Sequence, residues 1–363
     1  MAPKSPQASK KSKWQNEQSE QQPVYTPPTT GILSLLPVSW VPFAELIRLH
    51  QPHGLYMTYY PNILGLLYAS AVSPSGPIPL STLSQRAALL AAWTFLLRSA
   101  GCAWNDVVDQ DYDRRTARCR NRPVARRAVS TTDAVLFVAV LTLLGLGCIW
   151  TINAISAAQG DDPSRGGGGG GSRLATAASA VALVVLAAAY PFGKRVTHFA
   201  QVVLGSTLAA GVPLAASAAG LPALSSHAHA APTLCLAAAV VLLVVFYDVV
   251  YAKRDTADDL VTGVKGMAVR FRGRLEALFA VITVSIAGLL IALGAQAGMG
   301  PWYFVLSVGG LTAGLAFMIA LTHWGLLPSW CGKSGWCYAF AIGMLVGGLL
   351  CEDLGRRLTM GGI

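Results

Sequence analysis

The chain has 363 residues, of which 53% are hydrophobic and only 12% charged, and its formal net charge is +10. Soluble domains carry about 25% charged residues, so this composition excludes an ordinary soluble globular protein and marks a membrane chain. The positive balance could suggest nucleic acid, but the bases sit in short loops beside acids and apolar segments rather than on an independent domain, and no nucleic-acid partner is expected.

Residues 1–30 are rich in Lys, Ser, Gln and Pro and lack an apolar period, which predicts a disordered cytosolic tail. The tail has no Arg and carries Glu17 and Glu20. That is unlike a mitochondrial transit peptide and favours the endoplasmic reticulum or another secretory membrane. Since an apolar helix needs roughly 20 residues to cross the bilayer core, residues 31–363 read as about nine spans, centred near Leu64, Trp93, Thr142, Val184, Leu208, Leu242, Thr283, Thr312 and Met344. Backbone groups in lipid must be satisfied within the element, so the fold class is all-α, a polytopic membrane domain.

Basic residues test this topology, because cytoplasmic loops are enriched in Lys and Arg. They gather before the first span (Arg48), between the second and third (Arg114 to Arg127), after the fourth (Lys194, Arg195) and after the sixth (Lys253 to Arg274). The alternate loops offer Arg86, Arg165 and Arg173, and Arg356 with Arg357 is the exception on the sparse side. The Gly166 to Gly171 run lies within a low-complexity segment, 161–173, predicted to be a flexible loop. Seven scattered cysteines without paired spacing read as small buried hydrophobes.

Two stretches, Asn105 to Asp113 and Tyr247 to Asp259, hold eight of the 17 acidic residues, and each directly follows a long apolar segment. Carboxylates at the edge of a hydrocarbon layer are costly unless paired, wetted or bound to a metal. At about 100° per residue, Asn105, Asp106, Asp109 and Asp113 share a roughly 100° arc while Asp111 points away; Asp248, Asp255 and Asp259 fall within about 40°, with Asp258 to the side. Like charges held together repel unless a cation or protons sit between them. All-oxygen ligands select a hard ion such as Mg²⁺, which commonly completes its shell with substrate phosphate oxygens. The natural partner is a diphosphate, with Arg118, Arg120, Arg122, Lys194, Arg195, Lys253 and Lys265 placed to finish its neutralisation.

These residues carry a resemblance. Asn105-Asp106-x-x-Asp109-x-x-x-Asp113, then Arg120-Asn121-Arg122-Pro123, resembles the first motif of the UbiA-type intramembrane aromatic prenyltransferases. Tyr247-Asp248-x-x-Tyr251-Ala252-x-x-Asp255-x-x-Asp258-Asp259, followed by Gly263-Val264-Lys265, resembles their second. Tyr190-Pro191-x-x-Lys194-Arg195 falls between them, where the family has a similar sequence. The resemblance implies nine helices around a central cavity with a motif-bearing cap. It implies Mg²⁺ held on the diphosphate by Asn105, Asp109, Asp113, Asp248, Asp255 and Asp259. It places Arg48, Arg122 and Lys194 at the diphosphate, with Arg195 and Lys253 beside them, and the catalytic weight on Asp109, Asp113, Asp248, Asp255 and Lys194. One departure lies at Arg48-Leu49-His50-Gln51-Pro52-His53-Gly54, where many ubiquinone-pathway members differ; His50 and His53 would face the acceptor region.

Together with Tyr190 to Arg195 and Gly263 to Phe271, that segment looks most like the fungal meroterpenoid-pathway members, which typically transfer farnesyl to a phenolic or pyrone polyketide. The implied reaction is attack of an aromatic carbon on the allylic carbon of farnesyl diphosphate. The tail would lie along faces carrying residues such as Tyr59, Tyr60, Phe95, Phe246 and Tyr251. The alternatives are a mitochondrial 4-hydroxybenzoate polyprenyltransferase of ubiquinone synthesis and, outside enzymes, a cation or proton-coupled transporter, whose acids usually sit near the bilayer midplane.

Overall fold

The computed structural model describes residues 25–115, 119–158, 169–253, 256, 260, 263, 265–324 and 335–360. Among these residues the chain is helical with no strand. After a short 3-10 turn at Ile32–Leu35 come α1 (Val41–Leu46), α2 (His53–Val72), α3 (Leu80–Asp113), α4 (Thr131–Ala158), α5 (Gly169–Val196), α6 (Ala200–Ala209) and α7 (Gly211–Ala218). Then follow α8 (His227–Ala252), the single turn α9 (Met267–Arg270), α10 (Leu275–Ala297), α11 (Pro301–His323, π-helical over Phe304–Gly310) and α12 (Gly335–Thr359).

Eight helices among the described residues are long and apolar enough to cross a membrane, with α6 and α7 counting as one span, Ala200–Ala218. The ninth expected span, near Leu64, is α2. It has the length, at 20 residues, but Tyr56, Tyr59, Tyr60, Pro61 and Asn62 in its first half dilute its apolar character. The 34 residues of α3 make a helix about 50 Å long, against a hydrocarbon core of about 30 Å. Its acidic last turns therefore extend beyond the apolar layer. The loop expected over 161–173 is helical from Gly169 onward, because Ser172 is buried against Ser217 O, to which its hydroxyl donates at 2.6 Å. Residues 1–24 and 159–168 lie outside the described residues.

The chain divides into two compact units. One takes residues up to His50 with Cys102–Leu136; the other takes Gln51–Gly101 with Phe137–Ile363. In the larger unit, contacts run from α2 to α12, α11, α10, α8, then α6 and α7, and back to α2, closing a ring. Close approach needs small residues in a membrane bundle. A Cβ at Gly205 would lie 2.7 Å from Val241 O, and one at Gly65 would strike Val212 O. A second core joins Leu90 and Trp93 of α3 to Ile149 and Ile152 of α4 and Leu183 of α5.

The arginines on the sparse side have a structural explanation. Helices leave their last carbonyls without intrahelical partners, and in hydrocarbon such groups need a donor. Arg356 donates to the carbonyls of Ser70, Ala71 and Ser73 at the end of α2. Arg357 donates to Ile78 O at 2.7 Å and pairs with Asp353 at 2.7 Å, both side chains being almost fully buried. Asp353 in turn accepts from Ser70 Oγ. Arg86, also buried, reaches into α4 short of its end, donating to Ile152 O at 3.2 Å and Ser156 Oγ at 2.9 Å. These cations bond internal carbonyls, hydroxyls and a carboxylate, so the positive-inside count is blind to them.

Removing one partner of a buried ion pair strands the other and costs about 3–5 kcal/mol. Asp353→Ala is expected to lower stability by that amount in thermal unfolding of detergent-solubilised protein, whereas Asp111→Ala, on an exposed pair, is expected to change it by less than about 1 kcal/mol.

Candidate active site

The first acidic motif ends α3 in the smaller unit, and its geometry is set by two helix-end turns. After α1, Leu49 N donates to Ala44 O and Arg48 N to Glu45 O, each at 3.0 Å. This is a Schellman pattern with Arg48 at the left-handed position, φ 58°. The same pattern recurs downstream, where Ala128 N donates to Pro123 O at 2.8 Å and Arg127 N to Val124 O at 3.1 Å, with Arg127 at φ 62°. Glycine is usual at such sites. Here arginine occupies both.

The first turn aims Arg48 at Asp106. Its Nη2 lies 2.6 Å from Oδ1 and its Nη1 3.3 Å from Oδ2, a two-pronged pair on a carboxylate that is fully buried. The second turn brings Arg122 to the same acids, with Nη1 2.9 Å from Asp113 Oδ2 and 3.5 Å from Asp106 Oδ1. Burial works against the Arg122 charge, but Asp113 and Asp106 outweigh it and raise the guanidinium pKa above its ordinary value. Each guanidinium has five N–H donors. The bonds to Glu45 O and Asp106 leave part of the Arg48 fork for a ligand.

A second ion pair closes the unit. Arg126 Nη2 lies 2.6 Å from Glu45 Oε2, Tyr25 donates to Glu45 Oε1 at 2.7 Å, and the Arg126 guanidinium sits 3.6 Å from the Tyr25 ring centre. Tyr25 falls inside the segment expected to be a disordered tail, and these contacts place it. At the start of α4, Asp133 N donates to Ser130 Oγ at 3.0 Å, an N-cap bond, and the Ser130 hydroxyl donates to Asp133 Oδ2 at 2.7 Å.

On the face shared by Asp106, Asp109 and Asp113, Asn105 Oδ1 is buried with no hydrogen-bond partner among the described residues. An orphaned amide oxygen beside carboxylates is the hard donor type that Mg²⁺ takes, so the residues present fit such an ion. Among the described residues no three His, Cys, Asp or Glu side chains gather closely enough to hold a metal by themselves. Asp255, Asp258 and Asp259 lie outside the described residues. Asp111 is exposed and pairs with Arg114 at 2.9 Å, consistent with its place off the acidic face.

In the larger unit, α8 carries the second motif. Asp248 is half-buried; on the same helix the buried Phe246 ring packs on Phe279 at 4.6 Å. Phe246 is thus core rather than a cavity liner. Tyr247 stacks on Tyr338 of α12 with centroids 4.5 Å apart and on Tyr251 at 6.5 Å, while the Tyr338 and Tyr60 hydroxyls lie 3.2 Å apart. These four tyrosines run from the 38% exposed Tyr251 to the fully buried Tyr338. Tyr59 turns elsewhere and donates to Ala87 O at 2.7 Å, anchoring α2. Lys253 caps α8, Arg195 lies 5.9 Å from the Phe192 ring centre, and His50 is exposed. The side chains of Lys194 and His53, and all of Arg118, are outside the described residues.

Two residues of these clusters have no role in the sequence pattern: Asp106, the buried centre of the ion cluster, whose signal is a carboxylate beside the motif Asn and next to a buried Val, and Tyr338, which has no motif around it. Asp106→Ala is expected to destabilise the protein by about 3–5 kcal/mol, because Arg48 loses its carboxylate and Arg122 one of two. Thermal unfolding of the variant beside Asp109→Ala, expected to melt close to the parent, checks it.

The profile of the UbiA prenyltransferase family matches residues 59–160 and 168–350. Prenyltransferase ascA of Acremonium egyptiacum is 55% identical over 342 residues, 94% of this chain and 94% of the relative. Prenyltransferase stbC of Stachybotrys bisbyi is 48% identical over 90% of this chain and 91% of the relative. The DMOA farnesyltransferase nvfB of Aspergillus novofumigatus is 37% identical over 82% and 86%. Among solved structures, a UbiA homologue from Aeropyrum pernix K1 superposes with a TM-score of 0.59 at 21% identity, covering 84% of this chain and 98% of that one. A UbiA homologue from Archaeoglobus fulgidus bound to GPP and Mg²⁺ superposes with a TM-score of 0.57 at 13% identity, covering 87% and 99%. With a ring of membrane helices, motif acids at span ends and similarity along nearly its whole length, this chain belongs to the UbiA prenyltransferase family and is an integral, multi-pass membrane prenyltransferase.

Proposed function

We propose that this enzyme transfers a farnesyl group from farnesyl diphosphate to an aromatic carbon of a phenolic or pyrone polyketide, in meroterpenoid biosynthesis on the endoplasmic reticulum or another secretory membrane. The observation that carries this reading is similarity over nearly full length to fungal prenyltransferases, one of them named a farnesyltransferase, in a chain whose motif acids sit among fixed arginines.

Asn105, Asp109 and Asp113 from α3, and Asp248, Asp255 and Asp259 from the second motif, are the oxygen donors we assign to Mg²⁺. When bound, the ion supplies Lewis-acid neutralisation of the departing diphosphate. Arg48 and Arg122 orient the phosphates through the N–H groups their carboxylates leave over, with Lys194, Arg195 and Lys253 adding charge. Because Asp106 already holds Arg48 in place, little reorganisation accompanies the growth of negative charge on the leaving group. The allylic C–O bond breaks, the diphosphate takes the electron pair, the aromatic carbon ortho to a hydroxyl forms the new C–C bond, and its proton leaves to restore aromaticity. Apolar helix faces keep water from the cation-like carbon. Tyr251 and Tyr247 present ring faces that favour positive charge. His50 and His53 are assigned to the acceptor side.

Microsomes containing the enzyme, offered farnesyl diphosphate with a panel of phenolic polyketides and 4-hydroxybenzoate, are expected to farnesylate a polyketide only. Asp109→Ala, Asn105→Ala and a chelator are each expected to lower the rate by about 10²-fold or more. Transfer to 4-hydroxybenzoate alone would move the enzyme to quinone synthesis. Metal-independent transfer would overturn the ligand assignment.

A further inference from the structure

In the larger unit, residues 196–201, which leave α5 and enter α6, lie against residues 265–272 around α9. Three contacts join them. Lys265 Nζ donates to Val196 O at 3.4 Å, Met267 N donates to Gln201 Oε1 at 3.3 Å, and the Phe199 and Phe271 rings meet edge to face, centroids 6.4 Å apart. Beside this seam is an open groove of about 330 Å³ lined by His198, Val269, Arg270 and Arg272. No carboxylate among the described residues lines it. His198 adds a buried Nδ1 that has no hydrogen-bond partner among the described residues.

The groove adjoins the ends of two membrane spans, Gly171–Gly193 and Ala200–Ala218. Apolar side chains are exposed there, Val196 at 77% and Phe199 at 45%, with Val202 further along α6. Cations gathered at the edge of the hydrocarbon layer beside uncovered apolar side chains call for a ligand that is anionic at one end and apolar at the other. A guanidinium pair suits phosphate oxygens, which it grips through several N–H groups. A soluble phosphate would use the arginines but leave Val196 and Phe199 uncovered. We infer that this groove binds the headgroup phosphate of an anionic phospholipid, whose acyl chains run over Val196, Phe199 and Val202. None of the residues lining the groove is assigned above to diphosphate or metal, so the site stands or falls separately from the proposed reaction.

Each Lys or Arg near an anionic lipid surface contributes about five-fold in affinity. Native mass spectrometry of the detergent-solubilised full chain, titrated with dioleoyl phosphatidic acid or dioleoyl phosphatidylcholine, reads the site directly. Phosphatidic acid is expected to be retained and phosphatidylcholine not. The Arg270→Gln/Arg272→Gln double variant is expected to weaken retention about 25-fold at an unchanged melting temperature, since both side chains are exposed. His198→Gln, which keeps a polar side chain, is expected to weaken it several-fold. Equal retention by parent and double variant would overturn the inference, as would equal retention of the two lipids. Displacement of phosphatidic acid by equimolar inorganic pyrophosphate would overturn the lipid assignment and mark a soluble-phosphate site.

Discussion

Hydrocarbon offers peptide groups no partner except one another, and each polar feature of this chain answers to that constraint. The spans are helices because only a helix bonds its backbone within one segment. Their ends remain the weak points. α2 ends where Arg356 reaches three of its last carbonyls, while Arg86 is buried on Ile152 O and Ser156 Oγ within α4. These guanidinium groups are buried or half-buried because their hydrogen bonds replace water. Asp353 then follows from Arg357, since an isolated buried cation is far more costly than a paired one.

The same logic operates in the smaller unit, with a chemical consequence. A carboxylate as buried as that of Asp106 persists only with paired cations, and Arg48 and Arg122 supply them. Holding Arg48 and Arg127 in the left-handed region costs on the order of 1–3 kcal/mol each. At Arg48, hydrogen bonds involving its charged group return roughly 1.5–3 kcal/mol each, so that turn persists without glycine. What results is a set of guanidinium donors fixed before any ligand arrives. Such fixed charge is the kind that stabilises a departing anion most effectively.

The larger unit contributes a different environment. Its ring of helices is close-packed through glycine contacts such as Gly205 against Val241, and buried tyrosines, among them Tyr60 and Tyr338, sit in its core. Tyr60, Tyr247 and Tyr338 come from three helices, so the aromatic surface next to Asp248 depends on how α2, α8 and α12 pack.

Much of this was legible in the sequence, for physical reasons. Hydropathy located the spans because the bilayer sets a length that composition must match, and α2 blurred only where its tyrosines diluted the signal. Helical spacing separated Asp111 from Asp106, Asp109 and Asp113, because residues on one helix keep their angles whatever surrounds them. Other features were not legible. The pairing of Arg48 and Arg122 with Asp106 joins residues 58 and 16 positions apart, and a loop arginine that binds a ligand looks identical in sequence to one that binds a carboxylate. Arg356 and Arg357 looked like a breach of topology until the carbonyls of α2 were seen beside them. Tyr338 carried no local pattern at all. Helices, their faces and the family follow from local periodicity and motif and are therefore written in the residue order; which charge meets which depends on distances between segments that periodicity does not encode, so it emerges from packing alone.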